Sequence, residues 1–299
     1  MEINDIFNNF KSNISKIQLF QRAIKANTEK EIKELNEFAI NMKKQPKEIQ
    51  EIGKSLHNLS FKSAIDGNHI FYDFKKISIE ENYQSVIFYK NKQYMWLLAE
   101  AYEEFEKFIE KVYAFIGFKN NNLWPLVDYG KITLPELNQK DYVWFLERAK
   151  NKQGTPQSIL SYYRNNLSEI AKVESKNALK INLKLAIILI ENLRHIIVHN
   201  HGIVENKDDF INNTLKKAGL DNNKKPKQEY IDFIHAFFAT DKYDKHIFLL
   251  ERETNPEIPI DTHINIYEML IGYLLSYSQI LVDNIEKEIG TTCNSYNKT

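Results

Sequence analysis

Glycine and proline are scarce in this chain: nine glycines and seven prolines interrupt 299 residues. Turn-rich β folds lean on those two residues for unusual or fixed backbone angles, so such scarcity favours long helices. Hydrophobic spacing points the same way. Ile6, Phe7, Phe10, Ile14, Ile17, Leu19 and Phe20 recur at helical intervals from Ile3 to about Ala26. Asn27-Thr28 reads as a break and a new cap, with Glu29 and Glu31 in the first turn of a second helix. That helix is expected to run to about Lys43 and to end at Gln45-Pro46. Leu59 to Ile79 alternates only loosely, which leaves a short strand or irregular structure there.

A stronger element begins near Asn91. The stretch KQYMWLLAEAYEEFEKFIEKVYAFIGF sets Trp96, Leu97, Ala101, Phe105, Phe108, Ile109, Val112 and Phe115 on one broad apolar face, with Gly117 as a natural C-cap. A loop over 119–133 and helices near 138–150 and 156–173 follow. A helix over 177–200 comes next, then a polar lysine-bearing loop (206–228). HIFLLERE and PEIPID read as a short extended pair, and a long amphipathic helix covers 264–289. The predicted class is all-α, with a boundary near 80–90. Residues 1–87 form an N-terminal helical extension of unknown role, 88–289 a helical domain and 290–299 a polar tail.

Lys+Arg and Asp+Glu both number 40, so the formal net charge is zero. This argues against a generally basic nucleic-acid coat and leaves room only for a local site. A single cysteine, Cys293, cannot staple a fold. The first residues carry no apolar signal-like run, and the oiliest stretch, 183–190, is far short of the roughly 20 residues that cross a bilayer. A cytoplasmic protein without a membrane partner is the expectation. No glycine-rich phosphate loop, G-x-S-x-G or cysteine–zinc spacing occurs.

One stretch departs from this plain helical pattern. After NALKINLKLAIILI comes ENLRHIIVHNHG, in which Arg194, His195, His199 and His201 fall within eight residues. On a helix Leu193 and Ile197 share an inward stripe, while Glu191, His195 and His199, each four apart, form a second row flanked by Arg194. Three readings are open. Histidines near a helix C-terminus suit its dipole and can be plain capping or surface groups. Glu191, His195 and His199 have the spacing of metal ligands, though the glutamate beside the first histidine in H-E-x-x-H is missing and no cysteine is near. Or a fixed guanidinium and a titratable imidazole serve phosphate chemistry: arginine's fork matches a phosphate, and histidine moves protons near neutrality.

RHIIVHNHG resembles the R-x4-6-H signature of the HEPN superfamily, in which an arginine followed by a polar residue precedes a histidine late in a helix. Arg194 matches the arginine, His195 the polar follower, where asparagine is commoner, and His199 the terminal histidine. The resemblance covers about 88–289 and implies an HEPN-like helical bundle. It also implies a metal-independent endoribonuclease that works through 2′-hydroxyl attack, of a kind found among toxins and antiviral abortive-infection effectors. Arg194 and His199 would be catalytic, with His195, Asn200 and His201 toward substrate. No cofactor or metal is implied. RNA, a second copy of the chain and an antitoxin or activating partner are the implied partners. The alternative is a non-catalytic HEPN-like nucleotide-binding or protein-interaction module.

Other candidates are weaker. Lys216, Lys217, Lys224, Lys225 and Lys227 read as a solvated loop that RNA phosphates could also touch. Trp96, Tyr142, Trp144 and Phe145 sit at core spacing rather than as base-stacking platforms. Glu100, Glu103, Glu104 and Glu106 form a solvated face from which one side chain could reach Arg194.

Overall fold

The computed structural model describes residues 2–52, 55–221, 227–253 and 263–296. The chain divides into two compact units, one of residues 1–18 and 95–299, the other of 19–94. The second boundary therefore lies beyond residue 87, and the first turns group with the C-terminal unit. Their apolar side chains explain this: Phe7 and Phe10 meet Phe105 and Phe108 at centroid distances between 4.8 and 6.3 Å.

Helix α1 (Ile3–Lys43) is unbroken. Asn27-Thr28 does not interrupt it, because Thr28 is buried and neither residue costs more than about 0.7 kcal/mol in a helix interior. Lys25–Glu29, Lys30–Glu34 and Lys33–Glu37 add weak i,i+4 pairs beyond that point. Leu19 and Phe20 are exposed, so the buried stripe stops short of them. In the unit of 19–94, α2 (Lys47–Ile52) precedes an antiparallel hairpin of β1 (Ser55–Lys62) and β2 (His69–Ile77). Its register runs from Lys62 opposite His69 to Ser60 opposite Phe71, then slips so that Leu59 faces Asp73. Tyr72 is the extra residue of that bulge. Helix α3 (Ile79–Lys119) starts well before Asn91. Ser78 and Glu81 form a reciprocal cap, the Glu81 carboxylate accepting from Ser78 N at 2.9 Å and Ser78 Oγ accepting from Glu81 N at 3.1 Å.

In the larger unit, α3 from Met95 onward is densely buried, Leu98, Ala101, Phe105, Ile109 and Val112 among its core residues. Trp96, at 47% exposed, departs from that pattern. Gly117 does not end the helix. It makes room for the Trp124 indole, 2.5 Å from where a Cβ would stand, and Trp124 Nε1 donates to Tyr113 O at 2.8 Å. Short helices follow: α4 (Leu126–Tyr129), α5 (Leu134–Leu137), α6 (Tyr142–Lys150, capped by Asp141), α7 (Gln157–Asn166) and α8 (Ser168–Ser175). The helix expected over 156–173 is thus two, parted at Leu167 with φ −116° and ψ 83°. An ion pair between Arg164 Nε and Glu174 at 2.7 Å, with Tyr277 donating to the same carboxylate at 2.6 Å, ties these pieces together.

Helix α9 (Leu183–Asn200) begins later than residue 177, where Asn182 accepts from Leu185 N at 2.9 Å. The polar loop expected after it is instead α10 (Lys207–Ala218), capped by Asn206 and closed by Gly219, and α11 (Gln228–His235) follows. Lys216 and Lys217 lie in the last turn of α10, Lys227 precedes α11, and Lys224 and Lys225 fall outside the described residues. Of the expected extended pair, β3 (Glu251–Glu253) pairs with β4 (His263–Asn265), while PEIPID lies outside the described residues. Helix α12 (Ile266–Tyr296) carries the backbone past the expected end at 289. The fold is mostly all-α, and α9 packs against α8, α10 and α12 at its centre. No described helix is long and apolar enough to cross a membrane.

Candidate functional site

The site stands at the end of the most buried helix. Leu185 through Ile190 are all buried, so the first turns of α9 have no solvent face. Each such side chain contributes roughly 1.5–3 kcal/mol by leaving water. Beyond Ile190 the burial narrows to Leu193 and Ile197, and polar residues appear between them. His195, His199, Asn200 and His201 are exposed.

The helix terminus has an unusual closure. His201, not Asn200, is the capping residue, in the left-handed region at φ 55°. Its N–H and that of Gly202, the latter at 3.1 Å, both turn back to Ile196 O. Gly202 follows at φ +82°, buried, and a Cβ there would lie 2.4 Å from Met95 Sδ. Ile247 N donates to Gly202 O at 2.9 Å and Val204 N to Lys245 O at 2.9 Å, which anchors the chain as it leaves. The histidine turn is therefore held from both sides.

His195 and His199 come together, their ring centroids 4.6 Å apart at 49°. Arg194 turns elsewhere. Five residues on a helix separate Arg194 from His199 by about 140° of rotation. The guanidinium reaches α3, where Nη2 donates to Glu103 Oε1 at 3.3 Å. Among the acidic residues of that face, Glu103 is its partner. The Arg194 side chain is 28% exposed, and its Nε is buried with no hydrogen-bond acceptor.

This corner is rich in carboxylates. Glu106 is half-buried, and burial raises its pKa to about 7, with Glu191, Glu110 and Glu103 adding to the rise and Arg194 opposing it. Burial and the neighbouring charges of Glu191 and Glu106 push the Tyr102 hydroxyl well above its ordinary value. Glu191 accepts from Gln157 Nε2 at 2.5 Å and so faces α7. Among the described residues no three histidine, cysteine or acidic side chains are grouped to hold a metal ion.

On its other side α9 meets α10. Asn192 Nδ2 donates to Thr214 Oγ1 at 2.8 Å, and Lys217 Nζ donates to Asn192 Oδ1 at 2.9 Å. Of the aromatic candidates, Phe145 is core, Trp144 and Tyr142 are half-buried and Trp96 is exposed. Comparison with protein-family models, curated proteins and solved structures found no match.

Proposed function

We propose that the chain is a metal-independent endoribonuclease of the HEPN type, acting in the cytoplasm as a toxin or antiviral defence effector. The observation that carries this reading is the solvent-facing His195–His199 pair at the polar end of an otherwise buried helix, with a half-buried arginine beside it. His199 takes the proton from a ribose 2′-hydroxyl. The freed oxygen attacks the adjacent phosphorus, the P–O5′ bond breaks, and a 2′,3′-cyclic phosphate and a 5′-hydroxyl end are left. The leaving oxygen takes a proton, for which His195 is the nearest second imidazole. Arg194 offsets charge on the phosphorane. Asn200 and His201 flank His199 at the helix end and supply substrate contacts.

Arg194 and His199 project to different sides of α9, so one copy does not aim both at one phosphate. A homodimer, in which a second copy brings its histidine to this arginine, fits that divergence. An antitoxin or activating partner would then act on dimer formation or on the arginine. The competing reading is a non-catalytic nucleotide-binding or interaction module, and the Arg194–Glu103 pair favours it, since a phosphate must displace that carboxylate.

The deciding experiment is RNA cleavage in EDTA by wild type and by Arg194→Ala/His199→Ala, with the product ends identified. Cyclic phosphates from wild type alone support the enzyme. Equal cleavage by the double variant, or strict dependence on a divalent metal, would falsify it.

A further inference from the structure

Between α9 and α10 lies a groove of about 410 Å³, lined among others by Asn192, His195, Phe210, Asn213, Lys216 and Lys217. That volume falls in the range of small-ligand sites, roughly 300–1,000 Å³. No carboxylate among the described residues lines it, although the chain as a whole is electrically balanced. His195 belongs to both this groove and the histidine pair, so the groove opens beside His199.

Part of the polar lining is tethered. Thr214 is fully buried; its hydroxyl accepts from Asn192, and Asn192 in turn accepts from Lys217. That relay holds one ammonium over the groove with few rotamers left to lose. Lys216 is exposed one residue earlier. Phe210 is half-buried and braced edge to face by Phe238 at 5.6 Å. Two cations for a phosphate, a ring for a base and the Asn213 amide for a base edge make up the recognition set of single-stranded RNA.

We infer that the α9–α10 groove is the subsite for the nucleotide next to the scissile bond. Its phosphate sits on Lys216 and Lys217 and its base against Phe210, and the flanking 2′-hydroxyl is thereby delivered to His199. The inference rests on the ribonuclease reading, but binding and cleavage can be read apart.

The probe is a short single-stranded RNA carrying 2′-O-methyl groups, which cannot be cut, titrated by fluorescence anisotropy at several salt concentrations. Lys216→Ala/Lys217→Ala is expected to weaken binding on the order of tenfold. The slope of log K against log salt should fall by about 0.7, the value for one lost phosphate. Lys216→Glu, which leaves the Thr214–Asn192–Lys217 relay intact, should weaken binding as well, and Lys172→Ala, at an exposed position of α8, should not.

Wild-type affinity and slope in the lysine variants, with cleavage still lost in His199→Ala, would overturn the groove and leave the enzyme standing. Lysine-dependent binding without cyclic-phosphate products would keep the groove as an RNA site and overturn the enzyme. A wild-type chain that does not bind the probe would overturn the groove, and the EDTA cleavage assay then decides the enzyme separately.

Discussion

The two halves of α9 follow opposite rules. From Leu185 to Ile190 every side chain is apolar and buried, and α8, α10 and α12 pack around the helix. From Arg194 to His201 the same backbone presents imidazoles to solvent and a guanidinium to a carboxylate. The first half supplies rigidity without chemistry, and the second holds chemistry that contributes little to stability. A site placed on the end of a buried helix gains a fixed frame without needing a hydrophobic pocket of its own.

Substitutions can separate the two halves. If the chain is the proposed ribonuclease, His199→Ala should lower RNA cleavage by about 10²–10⁴-fold, the usual worth of a general base, while the urea midpoint moves by less than about 0.5 kcal/mol equivalent. A large stability loss would show that the exposed end is structural after all. Leu189→Ala, at a fully buried position, should do the reverse. A cost of about 2–5 kcal/mol is expected from urea unfolding, with cleavage per folded molecule unchanged.

Glu106, on α3, acts on the polar half through charge. Its carboxyl is raised to about 7, first by burial, so the folded state holds that proton more tightly than the unfolded chain, whose value is 4.5. Its contribution to stability is complete below pH 4.5 and is lost as pH rises through about 7. Thermal melts across that window should fall less steeply for Glu106→Gln than for wild type. Arg194→Ala should push the Glu106 titration higher still, because the arginine opposes the rise; a titration that moves down would remove Arg194 from that corner. The smallest effect belongs to Ile65, 98% exposed at the hairpin tip. Ile65→Ala should change stability by less than about 0.5 kcal/mol, and a larger loss would mean that the hairpin is covered in solution.

Much of this architecture can be read in advance because helices announce themselves by spacing. The apolar stripe of α3, the oily first half of α9 and the long last helix are all visible in the sequence, and the scarcity of glycine and proline makes the helical class plain. What stays hidden has particular causes. The start of α3 lies in Ser78–Glu81, a capping box masked by the alternating stretch before it. Helix α10 buries Ile211, Thr214, Leu215 and Ala218, a helical spacing obscured by the asparagines and lysines between them. Without α10 there is no groove, and Lys216 and Lys217 look like loop charges. The cluster Arg194–His201 can be located from sequence, but not its pairings. That His195 meets His199 follows from i,i+4 spacing, whereas Glu103 rather than Glu106 accepting from Arg194 depends on how two helices pack.

Gly202 carries a consequence for how this region tolerates change. Its φ of +82° is one that side chains rarely adopt, and a Cβ there would also force the Met95 sulfur, 2.4 Å away, to shift. In a saturation library across 195–204, positions 195 and 199 should accept many residues when survivors are sorted by cellular abundance and few when sorted by RNA cutting. Position 202 should be nearly single-valued under both selections. A residue that fails both sorts marks the hinge pin of the site, and one that fails only the second marks its working parts.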